Sequence, residues 1–313
     1  MTESLSTRPS PLAPDFRAGF VAILGRPNVG KSTLINALLG QKIAAVSPRP
    51  QTTRRRQLGI LTTESYQIVF VDTPGIHAPK HKLGEFLNQE AQEALDGVDA
   101  LLWLVDVSSD PSADDERIAS LLPAWAPLVL GLNKIDTVSS SLLEARQALY
   151  QALLPSTAHT VRISATRGDG LQELVQTLVS LLPVHQPEFD PDQITDLYER
   201  DIAADLIREA ALNHLRDEVP HCIAVRIDEY KERENGAAYI AATLFVERES
   251  QKAIVIGEGG KMLKAISTTA RMEIEAMSGR RVFLDLRVKV LKNWRNDEQW
   301  LRRLGYRLKR VKT

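Results

Sequence analysis

The sequence lacks most of the features that mark secreted and membrane proteins. Among its 313 residues there is one cysteine, Cys222, so an internal disulfide cannot form. The first twenty residues contain no apolar run of seven or more, which argues against a secretory signal. Apolar runs such as residues 101–105 and 128–132 are far shorter than the roughly 18 residues that a membrane-spanning helix needs. These absences predict a protein of a reducing, cytosolic compartment that does not cross a membrane.

The composition also excludes several classes of protein. A hydrophobic content of 43% and a charged content of 25% are ordinary for globular proteins, which excludes wholesale disorder, collagen and coiled coil. The net charge of −1 hides an asymmetry, because residues 252–313 carry 16 Lys and Arg against 6 Asp and Glu, whereas the rest carries 23 against 34. This basic C-terminal part indicates contact with a polyanion, either nucleic acid or an anionic membrane surface. A solvated charged surface is the alternative.

The chain is long enough for two domains with separate cores. Up to residue 182, short β-rich runs alternate with helical patterns, which predicts a parallel sheet. The strands are predicted at residues 20–24, 66–71, 100–105, 128–132 and 160–163. Three prolines then interrupt a stretch without periodicity, and the pattern changes to helix, two strands, helix and strand. We therefore predict a flexible N-terminus (1–18), a first domain (19–182), a linker (183–195) and a second α+β domain with a basic tail (196–313).

A glycine-rich loop connects the first predicted strand to a helix. It comprises Gly25, Arg26, Pro27, Asn28, Val29, Gly30, Lys31 and Ser32, and Thr33 follows in the first helical turn. In such a loop the backbone N–H groups and the helix N-terminus surround phosphate, Lys31 reaches the β and γ oxygens, and Ser32 binds Mg2+. Because the full eight-position pattern lies between strand and helix, it predicts a phosphate-binding loop rather than a simple tight turn.

The identity of the base is predicted by a second motif, Asn133, Lys134, Ile135 and Asp136, directly after an apolar strand. The Asp136 carboxylate can accept hydrogen bonds from both N1–H and the 2-amino group of guanine. Adenine offers no such pair of donors, so the motif favours GTP over ATP. Ser164, Ala165 and Thr166 follow another predicted strand and can offer a backbone N–H to guanine O6, although this tripeptide alone is a weak signal.

Two further segments can sense the γ-phosphate. Asp72, Thr73, Pro74 and Gly75 end a predicted strand, which places Asp72 to bind Mg2+ through water and the Gly75 N–H at the γ-phosphate. Residues 51–55 (Gln-Thr-Thr-Arg-Arg) supply a hydroxyl for Mg2+, and we prefer Thr53 over Thr52 for this role. The candidate catalytic residues are Lys31, Thr53 and Gly75. The order and spacing of these elements resemble the translation-factor class of GTPases.

Many small GTPases have a glutamine after this motif to orient the attacking water, but this chain has Ile76. Its side chain cannot polarise water, so we predict slow intrinsic turnover that depends on K+, a partner, or both. In related GTPases with a hydrophobic residue here, an asparagine at the position of Asn28 helps to hold a monovalent cation. Asn28 fits that resemblance, and an Asn28 that only braces the loop is the alternative. His77 and His81 are interpreted as polar loop residues.

The second domain contains a Gly-x-x-Gly loop before a predicted helix. In the order helix, two strands, helix, loop, helix and strand, it resembles a bacterial (type II) KH domain, whose loop approaches single-stranded RNA while a groove takes about four bases. Glu258 departs from the lysine common in such loops, and nearby lysines can compensate. The candidate RNA-binding residues are Ile256, Gly257, Glu258, Gly259, Gly260, Lys261, Lys264 and Arg271.

Tryptophan and arginine are interleaved beyond the last predicted strand. Trp294 and Trp300 lie among arginines, which suits base stacking by single-stranded RNA. On a helix, however, Trp300, Leu304 and Leu308 fall on one face, which favours a core position for Trp300 and Leu304. A basic amphipathic segment can also lie on an anionic membrane, although this one is short for stable anchoring.

Together, these motifs closely resemble the Era family of GTPases over nearly the whole chain after about residue 19. The resemblance implies an α/β P-loop GTPase domain, with a mostly parallel sheet and helices on both faces, followed by an α+β type II KH domain. It implies GTP and Mg2+ as cofactors, with K+ as a further candidate. It also implies binding to the 3′ end of 16S ribosomal RNA, a role in assembly of the small (30S) ribosomal subunit, and a cytoplasmic location with peripheral inner-membrane association. We expect a monomer that does not bind DNA.

Two rival functions are kept. One is a membrane-associated regulatory GTPase whose basic tail docks on anionic lipid. The other is a GTPase component of an RNA-modifying enzyme, which is disfavoured because the second domain shows no spare catalytic constellation. In the favoured interpretation, the γ-phosphate orders residues 51–55 and 72–82, and this order changes how the two domains meet.

Overall fold

A six-stranded sheet forms the centre of the first domain in the computed structural model, which describes residues 13–47, 49, 52–79, 81–154 and 158–306. Its strands are β1 (Arg17–Leu24), β2 (Gln57–Thr62), β3 (Tyr66–Asp72), β4 (Ala100–Asp106), β5 (Leu128–Asn133) and β6 (His159–Arg162). They lie in the order β2-β3-β1-β4-β5-β6, and only β2 runs antiparallel to its neighbour. The predicted parallel sheet is confirmed, and β2 is an addition that the sequence patterns did not reveal.

Helices cover both faces of this sheet. They are α1 (Lys31–Leu39), α2 (Lys82–Glu93), α3 (Ala113–Leu121), α4 (Ser140–Gln151) and α5 (Leu171–Leu181). Along β4, Trp103 faces one core while Leu102 and Leu104 face the other, because successive side chains point to opposite sides of a strand. A strand buried on both faces is apolar throughout, which is why the central strands are continuous hydrophobic runs. The predicted alternation of strands and helices is confirmed.

The second domain has the order that the sequence predicted. It consists of α6 (Glu199–His214), β7 (Ala224–Glu232), β8 (Ala238–Val246), α7 (Glu249–Ile256), α8 (Lys261–Ser278), β9 (Val282–Val290) and α9 (Glu298–Arg303). Strand β8 pairs antiparallel with β7 and parallel with β9. Apolar residues of α6 and α8, such as Leu206 and Ile266, pack on the inner face of this sheet.

The predicted linker follows the surface of the first domain. Gln67 accepts hydrogen bonds from the backbone N–H groups of Glu188 and Phe189, and Thr195 forms a bridge with Gly59 beside β2. At the N-terminal side, β1 begins at Arg17 and Phe16 is buried, so the predicted flexible segment is wrong for its last residues. Residues 1–12 lie outside the described part of the chain.

The two domains share a small hydrophobic core. Leu83, Phe86 and Leu87 of α2 pack with residues near the end of the described chain, including Trp294 and Leu304. Trp294 is fully buried, so its predicted role as an exposed stacking surface is wrong. Leu304 is buried as predicted, Trp300 is partly buried against the same cluster, and Leu308 lies outside the described residues. No helix in the described ranges is both long enough and apolar enough to cross a bilayer.

Candidate functional site

The predicted nucleotide motifs meet at one edge of the six-stranded sheet. Because β1, β3, β5 and β6 are parallel members of the sheet, the loops after their carboxyl ends converge there, as in other open α/β sheets. The loops after β1 and β3, the segment before β2 and Lys134 after β5 surround a cavity of about 450 Å3, a volume typical of ligand sites, whereas Asp136 and residues 164–166 do not line it. Its lining includes Pro27, Asn28, Gly30, Lys31, Ser32, Thr33, Thr52, Thr53, Gly75 and Lys134.

Glycine is required at position 30 of the phosphate-binding loop. Its φ is 102°, and a Cβ there would lie 2.4 Å from Asn133 Nδ2. The same Asn133 amide donates to the Val29 carbonyl at 2.8 Å, so the loop is fastened to the end of β5. This contact joins the phosphate motif to the base-recognition motif.

Lys31 is buried and poised for an anion. Its Nζ donates to the carbonyls of Gly25 at 3.0 Å and Arg26 at 2.9 Å, which hold it over the loop. Burial lowers the pKa of Lys31 to about 8, and the nearby Asp72 opposes that shift only partly. A phosphate in the cavity would favour the charged ammonium, because an opposite charge raises the pKa of a buried lysine.

Arg26 contributes its backbone to the loop, while its side chain points elsewhere. Its Nε lies 2.8 Å from Asp115 Oδ2, and its Nη2 donates to Ser109 Oγ at 3.2 Å. Asp115 is fully buried in the first turn of α3. The Arg26 side chain therefore braces the loop against α3 rather than facing the nucleotide cavity.

Three oxygen atoms converge as a divalent-cation site would require. The Ser32 hydroxyl lies 2.8 Å from the Thr53 hydroxyl, and these two lie 3.0 Å and 3.1 Å from Asp72 Oδ2. The other carboxylate oxygen, Asp72 Oδ1, is buried without a hydrogen-bond partner among the described residues. Burial also raises the pKa of Asp72. A hard cation bound by two hydroxyls and a carboxylate would satisfy all of these groups, so the residues fit Mg2+.

The geometry favours Thr53 over Thr52 as the Mg2+ ligand, since Thr52 Oγ1 donates to the Arg49 carbonyl at 2.9 Å. We therefore expect Thr53→Val to lower GTPase turnover by about tenfold or more. This factor corresponds to the free energy of one hydrogen bond to a charged group. Thr52→Val, which has the same change in shape, should leave turnover within about twofold because it removes only a neutral bond. Single-turnover hydrolysis over a Mg2+ titration measures both variants. A larger defect in Thr52→Val would assign the ligand to the other threonine.

Among the base-recognition residues, Asp136 keeps one carboxylate oxygen available for guanine, while its Oδ2 lies 3.8 Å from Arg167 Nε. Asp136 is 16% exposed at its side chain, and its Oδ1 is buried without a hydrogen-bond partner among the described residues. Lys134 Nζ donates to the Asn28 carbonyl at 2.9 Å and to Asp106 Oδ2. Burial alone would raise the pKa of Asp106, but hydrogen bonds from Lys134 and Ser108 hold that pKa below its usual range.

The loop after β6 is held by the same asparagine. The Ala165 N–H donates to Asn133 Oδ1 at 3.0 Å, and Ser164 Oγ lies 3.2 Å from Thr166 Oγ1. Since the Ala165 N–H already has a partner, the neighbouring amides of this loop are the better candidates for guanine O6. In the structure the tripeptide ties its loop to the end of β5 through the Ala165 N–H.

The Asp-Thr-Pro-Gly segment lies directly against the phosphate-binding loop. A Cβ at Gly75 would come within 2.5 Å of Pro27 N, so only glycine permits this approach. Thr73 Oγ1 donates to the Ile23 carbonyl at 2.7 Å, and Ile76 is buried in the hydrophobic core. The Ile76 side chain therefore does not face the nucleotide, and only its backbone can. His81 acts locally, because its Nδ1 accepts the Gly84 N–H at the start of α2.

The Gly-x-x-Gly loop lies at the N-terminus of α8. Gly257 has φ 71° and a Cβ there would clash with Met262, while Gly260 is the N-cap of α8 in the left-handed region. Glu258, Gly259, Lys261 and Lys264 are exposed at this end of the helix. Arg271 lies further along α8 and pairs with Glu275 at 2.8 Å, so it is not part of the loop itself.

Contacts between the domains involve residues that motif analysis did not assign to either site. Lys42 Nζ pairs with Glu209 at 2.9 Å and Glu273 at 2.8 Å. The Arg208 side chain bonds to the Thr52 carbonyl, and Arg54 Nη1 donates to the Ile223 carbonyl at 2.8 Å. Arg54 is buried. The loop that carries Thr53 is therefore attached to the second domain.

Comparisons with known proteins give a family match for each of the two domains. The family described as a 50S ribosome-binding GTPase matches residues 20–134, and a KH-domain family matches residues 218–295. The GTPase Era of Carboxydothermus hydrogenoformans is 45% identical over 93% of this chain and 98% of its own length. The GTPase Era of Geobacter metallireducens is 46% identical with the same coverage.

Two solved structures are similar over almost the whole chain. One is Era in complex with MgGDPNP and nucleotides 1506–1542 of 16S ribosomal RNA, with a TM-score of 0.89 and 39% identity over 94% of this chain and 100% of that one. The other is a variant of Aquifex aeolicus Era bound to GDP·AlF4−, with the same score, identity and coverage.

Proposed function

This chain belongs to the Era family of GTPases, and from that premise we propose that it couples GTP hydrolysis to binding of 16S ribosomal RNA during assembly of the small ribosomal subunit. The observation that carries the proposal is the presence in one chain of a GTP-type cavity and an exposed Gly-x-x-Gly loop, in two domains that contact each other through Arg208 and the Thr52 carbonyl. The related Era structure with a 16S ribosomal RNA fragment supports the same RNA for this chain.

Hydrolysis depends on positioning and charge rather than on a catalytic side chain that activates water. Lys31 is placed for the β and γ oxygens, and the Gly75 N–H lies beside the phosphate-binding loop. Ser32, Thr53 and Asp72 would hold Mg2+, which neutralises charge that develops on the phosphates. Because the Ile76 side chain is buried in the core, no side chain at that position orients water, so turnover is slow.

K+ is the candidate cation that compensates for this lack. Asn28 lies in the left-handed region at φ 66° beside Pro27, where its side chain can join a cation site next to the phosphates. We expect GTP hydrolysis to be at least about tenfold faster in K+ than in Na+ at equal ionic strength, as an added charge at the transition state is worth this much or more. Asn28→Ala should abolish the difference, and the ratio of the K+ rate to the Na+ rate within the variant separates this loss from a general effect on the loop. Equal rates in the two salts would exclude the cation role.

The loop that carries Thr53 couples the bound nucleotide to the second domain, which contains the RNA site. The γ-phosphate and Mg2+ would hold Thr53 next to Ser32 and Asp72, while the adjacent Thr52 and Arg54 bond to the second domain. Loss of the γ-phosphate therefore releases one end of a connection between the domains. We propose that RNA affinity differs between the GTP and GDP states. By reciprocity, RNA must shift the affinity for the two nucleotides by the same factor.

The proposal is tested by equilibrium binding of the full chain to a short RNA with the 3′ sequence of 16S ribosomal RNA. Gly259 has φ 58° and no atom within 4 Å of an added Cβ, so Asn and Asp, the side chains that adopt this conformation most often, meet no clash there and share the same backbone strain. We expect Gly259→Asp to weaken binding by about tenfold or more because it sets a negative charge against phosphate. Gly259→Asn, equal in size but neutral, should stay within about threefold of the native chain.

Three arms of this experiment separate the alternatives. A scrambled RNA should bind more weakly, and a non-hydrolysable GTP analogue should give an affinity different from that with GDP. Equal affinity in both nucleotide states would remove the switch. Binding that is weak and indifferent to sequence and to the Gly259 variants would contradict the ribosomal role.

We further propose a monomeric, cytoplasmic protein that does not bind DNA and associates peripherally with the inner membrane. The basic character of residues 252–313 supports this association, since clustered cations are attracted to anionic lipid. Flotation with anionic vesicles, compared with neutral ones, measures it. If flotation were strong while RNA binding failed, the membrane-associated regulatory GTPase would become the better function.

A further inference from the structure

An arginine-rich cleft lies between the two domains, apart from the nucleotide cavity. The cleft is small, about 100 Å3, and is formed by residues 54–57 of the first domain together with α6 and β7 of the second. Six arginines and two aspartates line it. The arginines are Arg54, Arg55, Arg56, Arg200, Arg208 and Arg226.

The cleft is also far from the Gly-x-x-Gly loop. That loop precedes the first residue of α8, whereas Arg280, just beyond the last turn of α8, pairs with Glu199 at the start of α6. Arg200 follows directly on Glu199. An 18-residue helix spans about 27 Å, so the cleft and the loop lie at opposite ends of the second domain.

Most of the positive charge in this cleft is not neutralised by the protein. Arg208 pairs with Asp205 at 3.1 Å and Arg226 with Asp228 at 2.6 Å. The other four arginines make no ion pair with any carboxylate in the described ranges of the chain. Arg54, Arg55 and Arg200 donate instead to the backbone carbonyls of Ile223, Leu304 and Ile227, which carry no net charge.

Two of these cations are buried as well as close together. Arg54 and Arg208 are each only 3% exposed. Burial lowers the pKa of Arg54; Tyr306 opposes that shift, and repulsion from Arg208 adds to it. The Arg54 Nε is buried without a hydrogen-bond partner among the described residues. Buried like charges are costly unless an anion compensates them, and the planar guanidinium fork matches the oxygens of phosphate.

We propose that this cleft is a second anion site, which binds a phosphate group between Arg54, Arg200 and Arg208. The phosphate is either a phosphodiester of bound RNA, an alternative that rests on the proposed RNA-binding function, or a free phosphate. Occupancy neutralises the charges on both sides of the segment that carries Thr53. It therefore stabilises the arrangement in which Thr53 lies beside Ser32 and Asp72.

The site is tested by calorimetric titration of the full chain with inorganic phosphate. The protein is loaded with Mg2+ and a non-hydrolysable GTP analogue, so that the nucleotide cavity is filled, and chloride of equal ionic strength serves as the reference. Saturable binding of one phosphate is expected. Arg200→Gln, at an exposed position of α6, should weaken it by about tenfold, or ~1.4 kcal/mol. Arg117→Gln, at an exposed position of α3, should leave it unchanged.

Absence of saturable phosphate binding to the loaded native chain would overturn the proposal, as would equal weakening in Arg117→Gln. The source of the phosphate is identified by repeating the RNA titration. If RNA supplies it, Arg200→Gln weakens RNA binding by about tenfold and inorganic phosphate competes with RNA. If a free phosphate supplies it, RNA affinity stays the same while phosphate binding falls. Because phosphate is titrated without RNA, failure of the RNA function would not be confused with failure of the anion site.

Discussion

Asp136→Asn is expected to lower the affinity for GTP by about 10³-fold or more, the scale on which sites built around specific hydrogen bonds discriminate. The native carboxylate can accept from both N1–H and the 2-amino group of guanine, and its Oδ1 is otherwise buried without a partner among the described residues. The asparagine amide would instead direct an N–H group at the 2-amino group, which leaves two donors opposed. Competition against a fluorescent guanine nucleotide measures the loss.

The same variant should bind xanthosine triphosphate better than the native chain does. Xanthine carries an oxygen in place of the 2-amino group, and the new amide can donate to it. Asp169→Asn is the matched control. Asp169 is exposed in the neighbouring loop, and its substitution removes the same negative charge. Equal loss of GTP affinity in both variants would indicate a general effect of charge, and retained GTP affinity in Asp136→Asn would remove Asp136 from the base site.

Trp294→Ala is expected to lower the free energy of unfolding by about 3–5 kcal/mol, the usual cost of removing a large buried aromatic side chain. Trp294 is fully buried, and its Nε1–H donates to the Cys222 carbonyl at 2.9 Å. Its ring also lies 5.7 Å from the Arg54 guanidinium carbon and stacks near Tyr306. The substitution removes these contacts and leaves the Cys222 carbonyl without its donor. Urea denaturation followed by circular dichroism measures the change.

Trp125→Ala provides the comparison, because Trp125 is 62% exposed and its loss should change stability by no more than about 0.5 kcal/mol. If Trp294 were instead a stacking platform for RNA, its replacement would weaken RNA binding without changing the unfolding midpoint. That pattern would contradict the core position of this side chain.

The chemistry of the nucleotide site could be predicted from the sequence because each motif is short and contiguous. A glycine-rich loop between strand and helix has one dominant geometry, so Lys31 and Ser32 are placed by local backbone structure alone. Parallel strands end at a common edge, so the motif that ends in Asp136 was expected beside that loop. The KH order of elements was predicted for the same reason, since alternation of helical and strand patterns is a local property.

Features that depend on distant residues could not be predicted in this way. Strand β2 was missed because its conformation depends on antiparallel pairing with β3. The choice between Thr52 and Thr53 was open in the sequence, because adjacent hydroxyls differ only in the direction that the folded loop gives them. In the structure, Thr53 points to Ser32 and Asp72 while Thr52 turns to Arg49.

The sequence alone thus determined that the chain has a guanine-nucleotide site and a KH-type loop, since both are encoded by neighbouring residues with restricted geometries. Only the tertiary structure decided that Trp294 and Arg54 are interior residues and that Lys42 joins the domains through Glu209 and Glu273. The type of an aromatic or cationic residue does not show whether its side chain contacts nucleic acid at the surface or is buried in the protein. Burial and the partners that satisfy it depend on which distant segments fold against the residue.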